Sequence, residues 1–204
     1  MKTRIYIFAF IFLVLLFIGQ QARTEDSPSA REYQIKAAFL YNFLMFVDWP
    51  KEKMPDNKEP IVLGIIGKDP FGNSFEPLKD KQTKDRSVII KRFKGLEELK
   101  KNAAELNQVI EDIRKCHLLF ICHSEEGVLQ EVISLIKNHN VLTVGDMQTF
   151  RESDGMIINL VMEEGKIRFR INVTAARQAK LEVRSQLLRL AREVIGEWSP
   201  QEAK

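Results

Sequence analysis

The chain has 204 residues, 45% of them hydrophobic, with 31 Lys and Arg against 28 Asp and Glu and a formal charge of +3. A composition this apolar excludes a disordered chain. A charge this small leaves no basic footprint for nucleic acid, so no nucleic-acid partner is expected.

Lys2 and Arg4 precede an unbroken apolar run from Ile5 to Ile18, followed by the polar stretch Gly19 to Asp26. This is the layout of a secretory signal. The run is about 14 residues, roughly 21 Å as a helix, shorter than a hydrocarbon core of about 30 Å, so spanning is disfavoured. Residues 1–22 are expected to be a signal peptide cut after Ala22, with a cut nearer Gly19 as the alternative because Gln20 suits the cleavage site poorly. Loss of Lys2 and Arg4 takes the formal charge from +3 to +1. The remaining length of about 180 residues suits one domain, expected over residues 30–197.

In chain order, Ser27-Pro28-Ser29 opens a helix whose apolar positions are Ile35, Ala38, Phe39, Phe43 and Phe46. It should stop near Val47, because Trp49 precedes Pro50 and that residue is pushed out of helical geometry. Ile61 to Ile66 reads as a buried strand and Ser87 to Ile90 as a second. Leu96 to Ile113 carries helical spacing, Cys116 to Cys122 is a third strand, Val128 to Ile136 a helix and Val141 to Val144 a fourth strand. That alternation implies βαβ units and a largely parallel sheet.

The rhythm then changes. Met156 to Val161 and Ile167 to Ile171 flank Glu163-Glu164-Gly165-Lys166, which is a hairpin. From Ser185 the residues Leu187, Leu188, Leu190, Ala191, Val194 and Ile195 share one face of a closing helix. The expected fold is a three-layer α/β sandwich, mostly parallel, with a C-terminal antiparallel hairpin and the closing helix.

Several segments together resemble the YfiR/HmsC-like family. They are Tyr33 to Phe43 with Phe46-Val47-Asp48-Trp49-Pro50, Gly67 to Gly72, Cys116 to Ile121, Val141 to Asp146, Gly155-Met156-Ile157, Arg168 to Asn172, and Leu187 to Ala191. The opening helix is the most specific of these. The resemblance implies a periplasmic repressor that binds the periplasmic sensor region of an inner-membrane diguanylate cyclase, lowering cyclic di-GMP and biofilm formation. It also implies relief by an OmpA-like outer-membrane lipoprotein in some systems, a homodimer, and in some members redox-linked disulfides.

The candidate residues carry alternatives. Asp69 and Asp146 each follow an apolar strand and, with Ser124, would rim a ligand pocket at the carboxyl ends of an open α/β sheet. Turn chemistry at Asp69-Pro70, and capping of a short helix over Met147 to Arg151 by Asp146, explain the same residue types. Cys116 and Cys122 are too far apart in one extended strand to pair, and their even spacing puts both on one face. Both are expected as core thiols, with Cys122 the candidate for redox chemistry. Trp49 is either a core residue or an interface anchor. Arg168 and Arg170 form either an interface or a charged edge that blocks strand addition. The histidines and cysteines have no metal-ligand spacing and no nucleophile is paired with a base, so no cofactor and no enzymatic activity are expected. A small-ligand sensor is the alternative function.

Overall fold

In a computed structural model of the chain, residues 28–55 and 58–198 are described. The expected leader and the segment after Trp198 lie outside them. Helix α1, Pro28–Phe46, turns Lys36, Ala37, Leu40, Phe43 and Leu44 inward. It ends just before Trp49-Pro50, and the chain passes into β1 (Val47–Asp48).

There follow β2 (Ile61–Ile66), β3 (Val88–Phe93), α2 (Leu96–Leu99), α3 (Ala103–Lys115) and β4 (Leu118–Ile121). Then come α4 (Leu129–Leu135), β5 (Leu142–Gly145), β6 (Ile158–Glu163) and β7 (Lys166–Asn172). The chain closes with α5 (Val173–Gln178), β8 (Glu182–Val183), α6 (Ser185–Leu190) and β9 (Glu193–Ile195).

The main sheet has the order β3-β2-β4-β5-β6-β7-β9. Its first five strands are parallel neighbours, β7 runs antiparallel to β6, and β9 lies parallel to β7. A second small sheet joins β1 to β8, tying the end of α1 to the last third of the chain. Every residue of β4 and β5 is buried, as continuous apolar strands between two layers should be. On one face α1 covers Phe71, Phe120 and Phe169, and on the other Leu119 and Ile121 pack with Leu129, Val132 and Met156. The fold is the expected three-layer sandwich.

Four local expectations are corrected. The helical spacing from Leu96 to Ile113 is two helices, because Asn102 turns its side chain back to accept from the N–H groups of Ala104 (3.2 Å) and Glu105 (3.3 Å) and so starts α3. Asn102→Ala should therefore cost about 1 kcal/mol in urea unfolding. A cost near zero would mean that α3 starts without this cap.

The closing helix ends at Leu190, and Val194 and Ile195 leave it to pair with Ile171 and Asn172. β9 thereby covers the backbone edge of β7 from Arg170 to Asn172, while Arg168 lies on the stretch before it. Met147 to Arg151 is not helical. Buried Asn159 holds it instead, accepting from Met147 N–H (2.9 Å) and donating to Met147 C=O (3.0 Å). Lastly, Cys116 follows α3 and packs in the α3–α4 core, whereas Cys122 packs in the α1 core, so the two thiols lie on opposite faces.

Candidate functional site

The carboxyl ends of β2, β4 and β5 lie beneath the first turns of α1. Lys36 occupies a position on the buried stripe of α1, where an amine needs a counter-charge. Its Nζ lies 2.7 Å from Asp146 Oδ2 and 2.7 Å from Glu32 Oε1, and it sits over the Tyr33 ring at 4.3 Å. Tyr33 donates its hydroxyl to the same Asp146 Oδ2 at 2.9 Å, and its ring meets Phe71 edge-on at 5.3 Å. Asp146 Oδ1 is buried with no hydrogen-bond partner. Burial, then the neighbouring Asp146 charge and its hydrogen bond, push the Tyr33 phenol far above its usual range, so it stays a donor.

Cys122 lies at the centre of this end of the sheet. Burial first, then the charges of Asp146, Asp69 and Glu125, push its thiol well up. Burial pushes Cys116 up to about 12. Both are free and buried, which opposes formation of the thiolate that redox exchange requires. Alkylation by iodoacetamide at pH 8 should be slower in the native protein than in the unfolded chain by about three orders of magnitude. Rapid labelling of Cys122 in the intact fold, read by mass spectrometry, would show an accessible thiol instead.

The three rim residues come to the same end of the sheet, where each is engaged in its own contacts. Asp69 makes the turn its neighbours suggested: Oδ1 accepts from Phe71 N–H at 2.8 Å and Oδ2 from Arg92 Nε at 2.5 Å. Ser124 Oγ accepts from Lys68 N–H at 3.0 Å and donates to Glu125 Oε1 at 3.1 Å. Glu125 is buried and accepts from Leu96 N–H at 2.8 Å, capping α2 from a distant segment. Asp146 caps no helix, because its carboxylate is taken by Lys36 and Tyr33.

A cleft of about 790 Å³ opens beside Ser124 between Gly67, Arg92, Phe93 and Gly95, and it includes neither Asp69 nor Asp146. Among the described residues no group of three His, Cys, Asp or Glu could hold a metal ion, and no helix is long and apolar enough to cross a membrane.

Trp49 is buried, and its indole donates to His117 C=O at 3.2 Å, so the free domain does not offer it as a surface anchor. Arg170 is half-buried between Glu163 (3.4 Å) and Glu193 (3.5 Å), whereas Arg168 is exposed. The role of Lys36 was missed from sequence, yet a signal was there: an amine on the same stripe as Leu40, Phe43 and Val47.

The YfiR/HmsC-like family model matches residues 33–192, which runs from within α1 to just past the end of α6. The chain belongs to the YfiR/HmsC-like family. No curated protein matches it significantly. Among solved structures, a conserved domain protein from Vibrio cholerae O1 biovar El Tor strain N16961 is similar at 14% identity and a TM-score of 0.49, over 79% of this chain. This chain spans 60% of that protein. YfiR/HmsC-like proteins are periplasmic, non-catalytic regulators of cyclic di-GMP signalling that act through protein–protein contacts with membrane cyclase regulators. In this YfiR/HmsC-like chain the Lys36–Asp146 pair joins two segments that carry the resemblance, the opening helix and the Val141 to Asp146 strand.

Proposed function

We propose that the chain is exported to the periplasm and represses an inner-membrane diguanylate cyclase by binding its periplasmic sensor region, so lowering cyclic di-GMP and biofilm formation. The observation that carries this reading is the family match over residues 33–192. It is supported by chemistry at the strand ends, where Asp69, Ser124, Glu125 and Asp146 are committed to internal hydrogen bonds and ion pairs rather than converging on a reactive centre. The protein is then a surface-acting regulator rather than an enzyme. A homodimer, and relief by an OmpA-like outer-membrane lipoprotein, belong to the same proposal.

The test is a pull-down from membranes with the leader-free protein. Recovery of a GGDEF-containing inner-membrane protein, lost when its periplasmic region is deleted, is the expected result. Retention by the deleted form would refute binding through the sensor region.

A small-ligand sensor is the second reading, favoured by the cleft of about 790 Å³ that Ser124 helps to line. It requires a saturable thermal shift that weakens in Ser124→Leu, which narrows the cleft beside Gly67 and removes the hydroxyl from its lining.

A further inference from the structure

β3 ends the main sheet and pairs only with β2, in register from Ile61↔Val88 to Ile66↔Phe93. The phase of that ladder follows from its two ends. Ile61 N–H donates to Ser87 C=O at 2.9 Å and Gly67 N–H donates to Phe93 C=O at 3.2 Å. Odd-numbered residues of β3 therefore turn their backbone groups towards β2, and the N–H and C=O groups of Val88, Ile90 and Arg92 point away from the sheet. Among the described residues, no backbone hydrogen bond satisfies that outer row.

The strand has no proline to blunt it, and Ile89 is 45% exposed. At the opposite end of the sheet, β9 has only three residues. A six-residue open edge with apolar side chains is a template for another strand, which natural proteins cover or block.

The chemistry around the edge selects the occupant. Residues 79–94 carry seven Lys and Arg against two Asp. Lys91, Arg92 and Lys94 have carboxylate partners elsewhere, but their side chains remain 41%, 47% and 50% exposed, and surface pairs of this kind contribute only about 0–1 kcal/mol. They remain free to be shared with an incoming carboxylate.

In two registers a second copy sets like charges against each other. The two-fold register that places Ile90 opposite its symmetry mate leaves the two Lys91 side chains as diagonal neighbours about 7–8 Å apart, and moving the axis to Lys91 brings them face to face. We propose that the outer edge of β3 is a docking site for an extended, acidic strand of a partner protein. Val88, Ile90 and Arg92 make the main-chain bonds, and Lys91, Arg92 and Lys94 select for Glu or Asp. This deepens the reading of the chain as a binding protein and rests on it.

The test uses a fluorescein-labelled ten-residue peptide of alternating Val and Glu, read by fluorescence polarisation against the leader-free protein. Saturable binding is expected, weakened by salt. It should fall at least about tenfold for the Val/Lys counterpart and for a peptide interrupted by Pro. Ile90→Pro removes an outward N–H without breaking a ladder bond and should abolish binding. Arg92→Glu, which leaves the backbone untouched, should reverse the preference between the Glu and Lys peptides. In the bound protein the amides of Val88, Ile90 and Arg92 should gain hydrogen-exchange protection.

No saturable binding, equal binding of the proline-interrupted peptide, or an Ile90→Pro-sensitive dimer in sedimentation would each overturn the proposal, the last by showing a second copy on the edge. If peptide binding holds while the membrane pull-down fails, the cyclase reading falls and the edge stands. The converse removes the edge alone.

Discussion

Lys36→Met should lower the unfolding free energy by about 3–5 kcal/mol, because it leaves the carboxylate of Asp146 buried without its counter-charge. Both side chains of the pair are 5% exposed, so solvent cannot screen the loss. In a domain of this size each kcal/mol is about 2–4 °C in Tm, so the melt should move by roughly 6–20 °C.

Asp146→Leu should destabilise less, because Lys36 keeps Glu32 as a counter-charge at 2.7 Å. The double variant Lys36→Met, Asp146→Leu should recover to within about 1–2 kcal/mol of the parent, since an apolar pair of similar volume avoids the desolvation cost. Loosening α1 also uncovers what it shields, so Cys122 should become alkylatable in Lys36→Met while Cys116, in the other core, should not. If all three variants lose less than 1 kcal/mol in urea with unchanged m, the pair does not hold α1 on the sheet.

The second large effect is a loss of stability in mild acid, carried by His117. The ring is buried, and that burial, with the charges of Lys53 and Arg86, holds its pKa down to about 4. Nδ1 accepts from Val62 N–H at 3.0 Å, and Nε2 lies 3.2 Å from Lys53 C=O, so the neutral ring donates from Nε2. Unfolded histidine titrates near 6.5, so below that pH the unfolded chain binds a proton that the folded one refuses.

The stabilisation is complete above about pH 6.5 and is lost progressively as pH falls towards 4, by on the order of 2–3 kcal/mol. The salt-bridged Asp48, whose pKa is lowered mainly by its hydrogen bond to Arg184, adds its own loss only at lower pH. His117→Gln can accept from Val62 and donate to Lys53 without titrating, and it should flatten stability between pH 4 and 6.5. An unchanged slope in that variant would assign the acid limb to other groups.

Much of the layering was legible from periodicity. Ile61 to Ile66 and Leu118 to Ile121 are apolar without alternation because both faces of their sheet are covered, and α1 stops where Pro50 requires it. What was lost depended on short-range chemistry that periodicity averages over. Asn102 sits inside an unbroken helical pattern, and only its capping hydrogen bonds divide α2 from α3. Val194 and Ile195 fit a helix face as well as a three-residue strand, and the open edge of β7 decided between them.

The parity of Cys116 and Cys122 held meaning only if every residue between them were extended, and the strand begins at Leu118. At the site, the residue types at Asp69, Ser124 and Asp146 showed which end of the sheet to examine. Their partners Arg92, Glu125 and Lys36 come from segments whose approach no local pattern encodes.

The most direct measurement is the cellular level of cyclic di-GMP in a strain lacking this chain, complemented with the exported or the leaderless form. A rise of several-fold on deletion, reversed by the exported form and not by the leaderless one, is the result expected of a periplasmic repressor. An unchanged level, or equal rescue by a form confined to the cytosol, would contradict it.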